Sequence, residues 1–261
     1  MAVLKDVKRI VVKVGTSSLT HSTGKVNIRQ MKKIVTVISD IVNSGIEVAL
    51  VTSGAIAVGV GKLGLKERPT TTTGKQAVAT VGQCELMFMY DKMFDEYGHT
   101  IGQFLITKRD VDNEESRENL VNAFEKTFEF GSIPVINEND VVGIEEIVYG
   151  DNDNLSAIVA RLINADALLI LTDIDGLYDK NPKEDEYARI IPVVEEITLG
   201  LYEIAGGKGS KFGTGGMITK LQAAQTATEA GIDTILMNGA EPENIYKVLE
   251  GHQVGTFFVA K

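Results

Sequence analysis

The sequence predicts an α/β protein, a three-layer α-β-α sandwich built on a mostly parallel, open central sheet. Three observations carry this. Short runs that are almost wholly apolar and β-branched, such as Arg9–Val14, Ile133–Ile136 and Ala167–Leu171, recur along the chain and read as strands buried on both faces. Segments of helical period separate most of them, the alternation that makes a parallel sheet covered by helices. Polar residues gather just after the strands, where an open α/β sheet binds its ligands. These are Lys13-Val14-Gly15-Thr16, Thr52-Ser53-Gly54, Asn137–Asp140, Thr172-Asp173 and Asn238-Gly239.

In chain order, Arg9–Val14 is a strand ending at Gly15, and Thr16–Asn27 is a polar loop. Ile28, Met31, Ile34, Val35, Ile38, Ile41 and Val42 trace one face of a helix that Gly45 stops. Glu47–Thr52 is a strand, followed by Ser53-Gly54-Ala55 and a helix of small residues. Lys66–Gly74 holds Pro69 and a run of threonines and reads as a loop; a long helix covers roughly Gln76–Glu96. Thr100–Thr107 is a strand, Glu115–Glu129 a helix and Ile133–Ile136 a strand. A helix on Leu155, Ile158, Val159, Leu162 and Ile163 precedes the strand Ala167–Leu171. Residues 175–188 form a turn-rich loop, Glu195–Ala205 a helix and Gly206–Gly216 a glycine-rich loop. The chain closes with helix Met217–Ala230, strand Ile232–Met237, helix Pro242–Glu250 and strand Thr256–Val259. Nothing reads as an interdomain linker, so residues 1–261 are expected to form one domain, with two lobes at most.

The totals narrow the function. A net charge of −10 argues against nucleic acid or an anionic membrane as the main partner. An anionic ligand would need cations supplied locally. The single cysteine, Cys84, excludes an intramolecular disulfide and fits a reducing compartment. The N-terminal apolar run is too short for a signal peptide or a membrane span, so a cytoplasmic protein is the expectation.

Two clusters of Asn and Asp, Asn137–Asp140 and Asp151–Asn154, stand ahead of the Leu155 helix. Such residues are ordinary turn and cap chemistry, or else a ligand site. A calcium loop is excluded, because Leu155, Ser156 and Leu162 occupy positions that need a ligand, a glycine and a glutamate. Ser53-Gly54-Ala55 offers backbone N–H groups to an anion, or is a plain strand-to-helix turn with Ser53 as cap. Lys13 sits inside an apolar strand, where an ammonium is costly unless it meets a partner or an anion; the alternative is a lysine snorkelling from the strand end. Gly206–Lys220 combines glycines and lysines ahead of a helix, a way to approach phosphates, and Lys220 lies one turn into that helix. No Walker A loop exists in the chain, and Gly59-Val60-Gly61-Lys62-Leu63-Gly64 does not directly follow a strand, so the dinucleotide fingerprint is in the wrong context. His21, His99 and His252 have no metal-ligand spacing. Cys84 reads as a buried thiol on the packing face of the long helix. A phosphoryl acceptor hydroxyl often needs a base, and none is evident here. A carboxylate acceptor needs none, being ionised at neutral pH with a pKa of about 4.3.

Together, VVKVGTSSLT (11–20), VTSGAIAVG (51–59), PVINENDVV (134–142), GDNDNLSA (150–157), LLILTDIDGLY (168–178) and GTGGMITKLQAA (213–224) resemble the amino-acid kinase family, and within it the branch that acts on glutamate. The ordered set is specific where any single motif is weak. The resemblance implies ATP-dependent phosphorylation of the L-glutamate side-chain carboxylate to glutamyl 5-phosphate, the first step of proline biosynthesis from glutamate, with Mg2+ alongside ATP. It implies Lys13, Asp153 and Lys220 as the catalytic group and Ser53, Asp140 and Asn152 as the glutamate site. ATP would be held by Lys13, Gly15, Thr172, Asp173, Thr214, Gly215, Gly216, Met217, Ile218, Thr219 and Lys220. No metal ligands are assigned. On this reading the N-terminal part binds glutamate and the part from about residue 165 binds nucleotide. The additional C-terminal domain of many bacterial members, a type shared with RNA-modifying enzymes, is not expected in a chain ending at Lys261. Other expectations are a homo-oligomer, proline as candidate feedback inhibitor, and functional coupling to glutamyl phosphate reductase. The competing readings are kinases of N-acetylglutamate, aspartate, carbamate or UMP, and a non-catalytic amino-acid sensor.

Overall fold

In the computed structural model, which describes residues 4, 6–21, 23, 25–143, 152–182, 184–206 and 216–261, the chain divides into two compact units. One is continuous, Val14–Asn152; the other joins Met1–Lys13 to Asp153–Lys261.

The continuous unit contains strands β2 (Glu47–Val51), β3 (Ile101–Ile106) and β4 (Ile133–Glu138) in the order β3-β4-β2. Both pairings are parallel, with Leu50 opposite Val135 and Phe104 opposite Ile136. Its helices are α1 (Thr16–Leu19), α2 (Ile28–Asn43), α3 (Ala55–Leu63), α4 (Thr72–Asp95), α5 (Lys108–Asp112) and α6 (Glu114–Glu129). Of the apolar face anticipated for α2, Met31, Ile34, Val35, Ile38 and Ile41 are buried and Val42 is half-buried, whereas Ile28, at the helix start, is 60% exposed. Its start is fixed by Asn27, whose side chain accepts from Gln30 N at 3.2 Å, and its end by Gly45 at φ +97°.

The other unit contains β1 (Arg9–Val14, through Lys13), β5 (Ala167–Thr172), β6 (Val193–Val194), β7 (Asp233–Asn238) and β8 (Thr256–Phe258), ordered β1-β5-β7-β8-β6. The β5–β7 and β6–β8 pairs are parallel and β7–β8 is antiparallel. Its helices are α7 (Asp153–Leu162), α8 (Leu199–Gly206), α9 (Met217–Thr228) and α10 (Asn244–Leu249). All six residues of β5 are buried, as its unbroken apolar sequence requires; each such Leu or Ile contributes roughly 1.5–3 kcal/mol of burial. The mostly parallel α/β organisation read from the sequence is the one observed.

Several boundaries differ from the expectation for local reasons. The threonine run is a helix start rather than a loop, because the Thr71 side chain accepts from Gly74 N at 3.2 Å. A helical turn, α1, occupies the head of the predicted Thr16–Asn27 loop. The two-residue β6 is too short to leave a periodic signal and exists because β8 pairs with it. Cys84 is exposed, not buried. The buried positions of α4 include Leu86, Met87, Tyr90 and Phe94, while Cys84 and Phe88, one turn apart, are exposed, Phe88 to 55%. Gly59 to Gly64 lies in and after α3, which confirms that it is no strand-to-helix dinucleotide turn. The predicted cluster Asp151–Asn154 and the loop Gly206–Gly216 fall partly outside the described residues, as do Thr214 and Gly215.

Candidate active site

Lys13, Asp153 and Lys220 meet within the discontinuous unit. Lys13 comes from the buried strand β1, Asp153 from the first turn of α7 and Lys220 from the first turn of α9. Asp153 Oδ1 lies 2.5 Å from Lys13 Nζ and Oδ2 lies 3.0 Å from Lys220 Nζ. The Thr219 hydroxyl faces the same Oδ2 at 3.0 Å and the Gly216 carbonyl at 2.8 Å. The aspartate is fully buried and the lysine side chains are 5% and 10% exposed, so Lys13 does not snorkel. Taking these charges out of water costs several kcal/mol per ion, and removing one partner of such a pair costs about 3–5 kcal/mol. By residue identity the trio carries two positive charges and one negative, an arrangement that favours a further anion. The fit to a phosphate is direct: two hydrogen-bonding ammonium groups, next to a helix N-terminus, on an otherwise acidic chain.

In the same unit, Thr172 and Asp173 follow β5, with Thr172 in register with Asn238 of β7. Thr172 Oγ1 donates to Asp173 Oδ1 at 3.1 Å, and the Thr172 carbonyl accepts from Gly239 N at 2.7 Å. Asn238 Nδ2 donates to Asp175 Oδ1 at 2.7 Å. Asp173 and Asp175 are exposed, presenting carboxylates beyond the carboxyl end of β5, with Asn238 at the end of the adjacent parallel β7. Met217, Ile218 and Thr219 form the first turn of α9; Gly15, half-buried after β1, belongs to the continuous unit.

The continuous unit holds Ser53, Asp140 and Asn152, all buried. Ser53 precedes Gly54, whose φ of +99° turns the chain from β2 into α3, so Gly54 and not Ser53 is the cap residue. Asn152 Nδ2 donates to the Thr52 carbonyl at 2.5 Å and to Asn137 Oδ1 at 2.6 Å. Asn137 Oδ1 also accepts from Glu138 N at 2.9 Å, and Asn137 Nδ2 donates to Gln83 Oε1 at 2.8 Å. The Thr52 hydroxyl meets the Tyr90 hydroxyl at 3.0 Å. Burial raises the pKa of Asp140 to about 6, against the pull of the neighbouring Arg68 guanidinium, and raises that of the Tyr90 phenol.

Asn137, Gln83, Tyr90, Arg68 and the Thr219 side chain were not assigned these places from sequence. Gln76, Gln83 and Tyr90 are spaced by seven residues in α4, two helical turns, and so share one face. Gln76 Nε2 donates to the Val141 carbonyl at 2.9 Å, so all three meet residues at or just beyond the carboxyl ends of β2 and β4. That spacing of polar side chains in a long helix was the available signal.

A model of the amino acid kinase family matches residues 8–238. The chain is 55% identical to the glutamate 5-kinase of Clostridium perfringens over 262 aligned residues, covering 99% of this chain and 97% of that one. It is 51% identical to the glutamate 5-kinase of Listeria innocua, covering 99% and 95%. Among solved structures, the UMP kinase of Bacillus anthracis matches with a TM-score of 0.66 at 18% identity over 98% of both chains. An isopentenyl phosphate kinase of T. acidophilum matches with a TM-score of 0.66 at 19% identity, over 96% of this chain and 100% of that one. At such identities the structural likeness establishes the fold alone. The family model spans most of the chain, and relatives of the same family share about half of its residues over nearly its whole length; the chain belongs to the amino acid kinase family.

Proposed function

We propose that this kinase transfers the γ-phosphoryl group of ATP to the side-chain carboxylate of L-glutamate, giving glutamyl 5-phosphate, the first step of proline biosynthesis from glutamate. The observation that carries the chemistry is the buried Lys13–Asp153–Lys220 cluster; the 55% identity to a glutamate 5-kinase supports the substrate.

A carboxylate oxygen attacks the γ-phosphorus, the bond to the β,γ-bridging oxygen breaks, and ADP leaves with that electron pair. No proton moves, because the acceptor is already ionised near neutral pH. The barrier is dominated by alignment and by repulsion between an anionic nucleophile and a polyanionic donor. Lys13 and Lys220 offset that charge on the transferring group. Asp153 holds both ammonium groups in place, which two like charges would not do unaided. Magnesium bound with ATP would supply further charge neutralisation on the phosphates. Thr172, Asp173 and the first turn of α9 hold the nucleotide. Asp140 pairs with the α-ammonium, the one cationic group of the amino acid, and Ser53 and Asn152 complete its recognition. The acyl phosphate product hydrolyses readily, which fits functional coupling to the reductase that consumes it; a homo-oligomer and inhibition by proline belong to the same proposal. Among the described residues no helix is long and apolar enough to cross a membrane.

Hydroxylamine trapping of the acyl phosphate across glutamate, N-acetylglutamate, aspartate and carbamate, with ADP release monitored in parallel, tests the reaction. Glutamate should give hydroxamate and Lys220→Ala should lose at least ~100-fold in kcat, the scale of one transition-state charge contact. Trapping with another acid but not glutamate would sink the substrate assignment, and normal turnover in Lys220→Ala would remove that lysine from the mechanism.

A further inference from the structure

The amide network of the continuous unit has a fixed polarity, set by main-chain groups whose roles cannot be reversed. Glu138 N–H can only donate, so the Asn137 atom it meets at 2.9 Å is the carboxamide oxygen. The other end of that carboxamide is then the NH2 group, so the Gln83 atom 2.8 Å away is its oxygen. The Thr52 carbonyl can only accept, so the Asn152 atom it meets at 2.5 Å is the NH2 group. Asn137 Oδ1 takes the same NH2 group at 2.6 Å. None of these three amides can be flipped without setting donor against donor or oxygen against oxygen. Two groups are left over. Asn152 Oδ1 and Gln83 Nε2 are buried and have no hydrogen-bond partner among the described residues. A buried amide carbonyl without a donor is costly, and an ammonium-bearing ligand would relieve it.

Gln83 reaches this network because α4 lies unusually close to α3. A Cβ on Gly82 would stand 1.7 Å from the Ala55 carbonyl oxygen, and one on Gly59 would stand 2.1 Å from the Val78 carbonyl oxygen. Gln76 and Tyr90, two turns to either side, anchor the same face to Val141 and Thr52. We propose that Gln83 is a positioning residue for glutamate: by accepting from Asn137 it holds Asn137 Oδ1 on Asn152, and so keeps Asn152 Oδ1 presented as the acceptor for the substrate's ammonium group. This rests on the assignment of Asn152 to the glutamate site. Removing the Gln83 amide strands the buried Asn137 Nδ2; rotation of Asn137 relieves it and withdraws Oδ1 from Asn152.

The test is steady-state kinetics on Gln83→Met, Asn152→Ala and the double variant, with thermal melts to establish folding. Gln83→Met should raise KM for glutamate about 10-fold, the scale of one buried amide hydrogen bond, with kcat and KM for ATP within ~3-fold of wild type. In the Asn152→Ala background the same substitution should add less than ~2-fold, because the relay already ends in nothing. Gln83→Leu, which removes the amide with a different shape, should reproduce the pattern. A folded Gln83→Met or Gln83→Leu with KM for glutamate within ~2-fold of wild type overturns the proposal. So do effects that multiply in the double variant. An unaltered KM in Asn152→Ala overturns the assignment of Asn152 and the relay with it, whereas a raised KM there beside an unaltered Gln83→Met overturns the relay alone.

Discussion

Two buried aspartates in this chain are set to opposite tasks by what surrounds them. Asp153 is fully buried against two ammonium groups and a hydroxyl, a geometry suited to ordering cations. Asp140 is desolvated against the opposing pull of Arg68, and its pKa rises to about 6. The sign follows from linkage. A carboxyl whose folded pKa lies above its unfolded value of 3.8 leaves stability intact at low pH and costs stability as pH rises through the 3.8-to-6 window. Above pH 6 the folded chain carries an ionised, poorly solvated Asp140, which an incoming ammonium group would satisfy. Asp140→Asn should therefore stabilise the ligand-free protein at pH 8 by on the order of 1–3 kcal/mol, a gain absent at pH 4. It should raise KM for glutamate at least ~10-fold at pH 8. In the wild type, kcat/KM for glutamate should fall about tenfold per unit below pH 6, and the variant should be flat between pH 5 and 7. An acid limb unchanged in Asp140→Asn would assign that limb to another group.

At the scale of elements, α4 is the piece whose importance the primary structure conceals. Its contact with α3 depends on glycines, and Gly82→Ala would push a methyl group to 1.7 Å from the Ala55 carbonyl and 2.5 Å from Gly59 N. Overpacking of this kind costs typically 1–3 kcal/mol, or several degrees of Tm. The shift should also raise KM for glutamate while leaving KM for ATP unchanged. Gly200→Ala in α8 meets nothing nearer than the Thr198 hydroxyl at 3.6 Å and should be neutral or slightly stabilising. Wild-type stability in Gly82→Ala would mean that the helices separate at no cost, and the close approach would lose its significance. The contrast explains what was legible. Strands such as β5 announce themselves because burial on both faces demands an unbroken apolar run. Lys13 announces itself because an ammonium there violates that demand. Gln83 and Tyr90 do not: polar residues every seven positions in a helix look like a solvated stripe until the tertiary partners are known. The same holds for Asn137 and Asn152, fifteen positions apart, whose link is a tertiary hydrogen bond. Cys84 was misread for the converse reason: its apolar neighbours Met87, Phe88 and Met93 suggested a packing face, and Met87 is indeed buried, but the helix leaves Cys84 and Phe88 exposed.

At the scale of the whole molecule, charge and ligand are in opposition. A chain with net charge −10 repels both ATP and glutamate at long range, so affinity must come from local features: the lysine cluster in one unit and the amide network with Asp140 in the other. Each set lies within a single compact unit, although Asn152 and Asp153 are consecutive residues. The two ligands should therefore stabilise through separable residues. A ligand at 100 times its Kd that binds only the folded state adds about 2.7 kcal/mol, enough to read as a Tm shift. Glutamate alone and ADP alone should each raise the wild-type Tm. Asp140→Asn should cut the glutamate shift to about half or less and keep the ADP shift. Lys220→Ala should weaken the ADP shift and keep that of glutamate. Loss of both shifts in either folded variant would mean that the two ligands share their determinants, and the division of recognition between the units would be wrong.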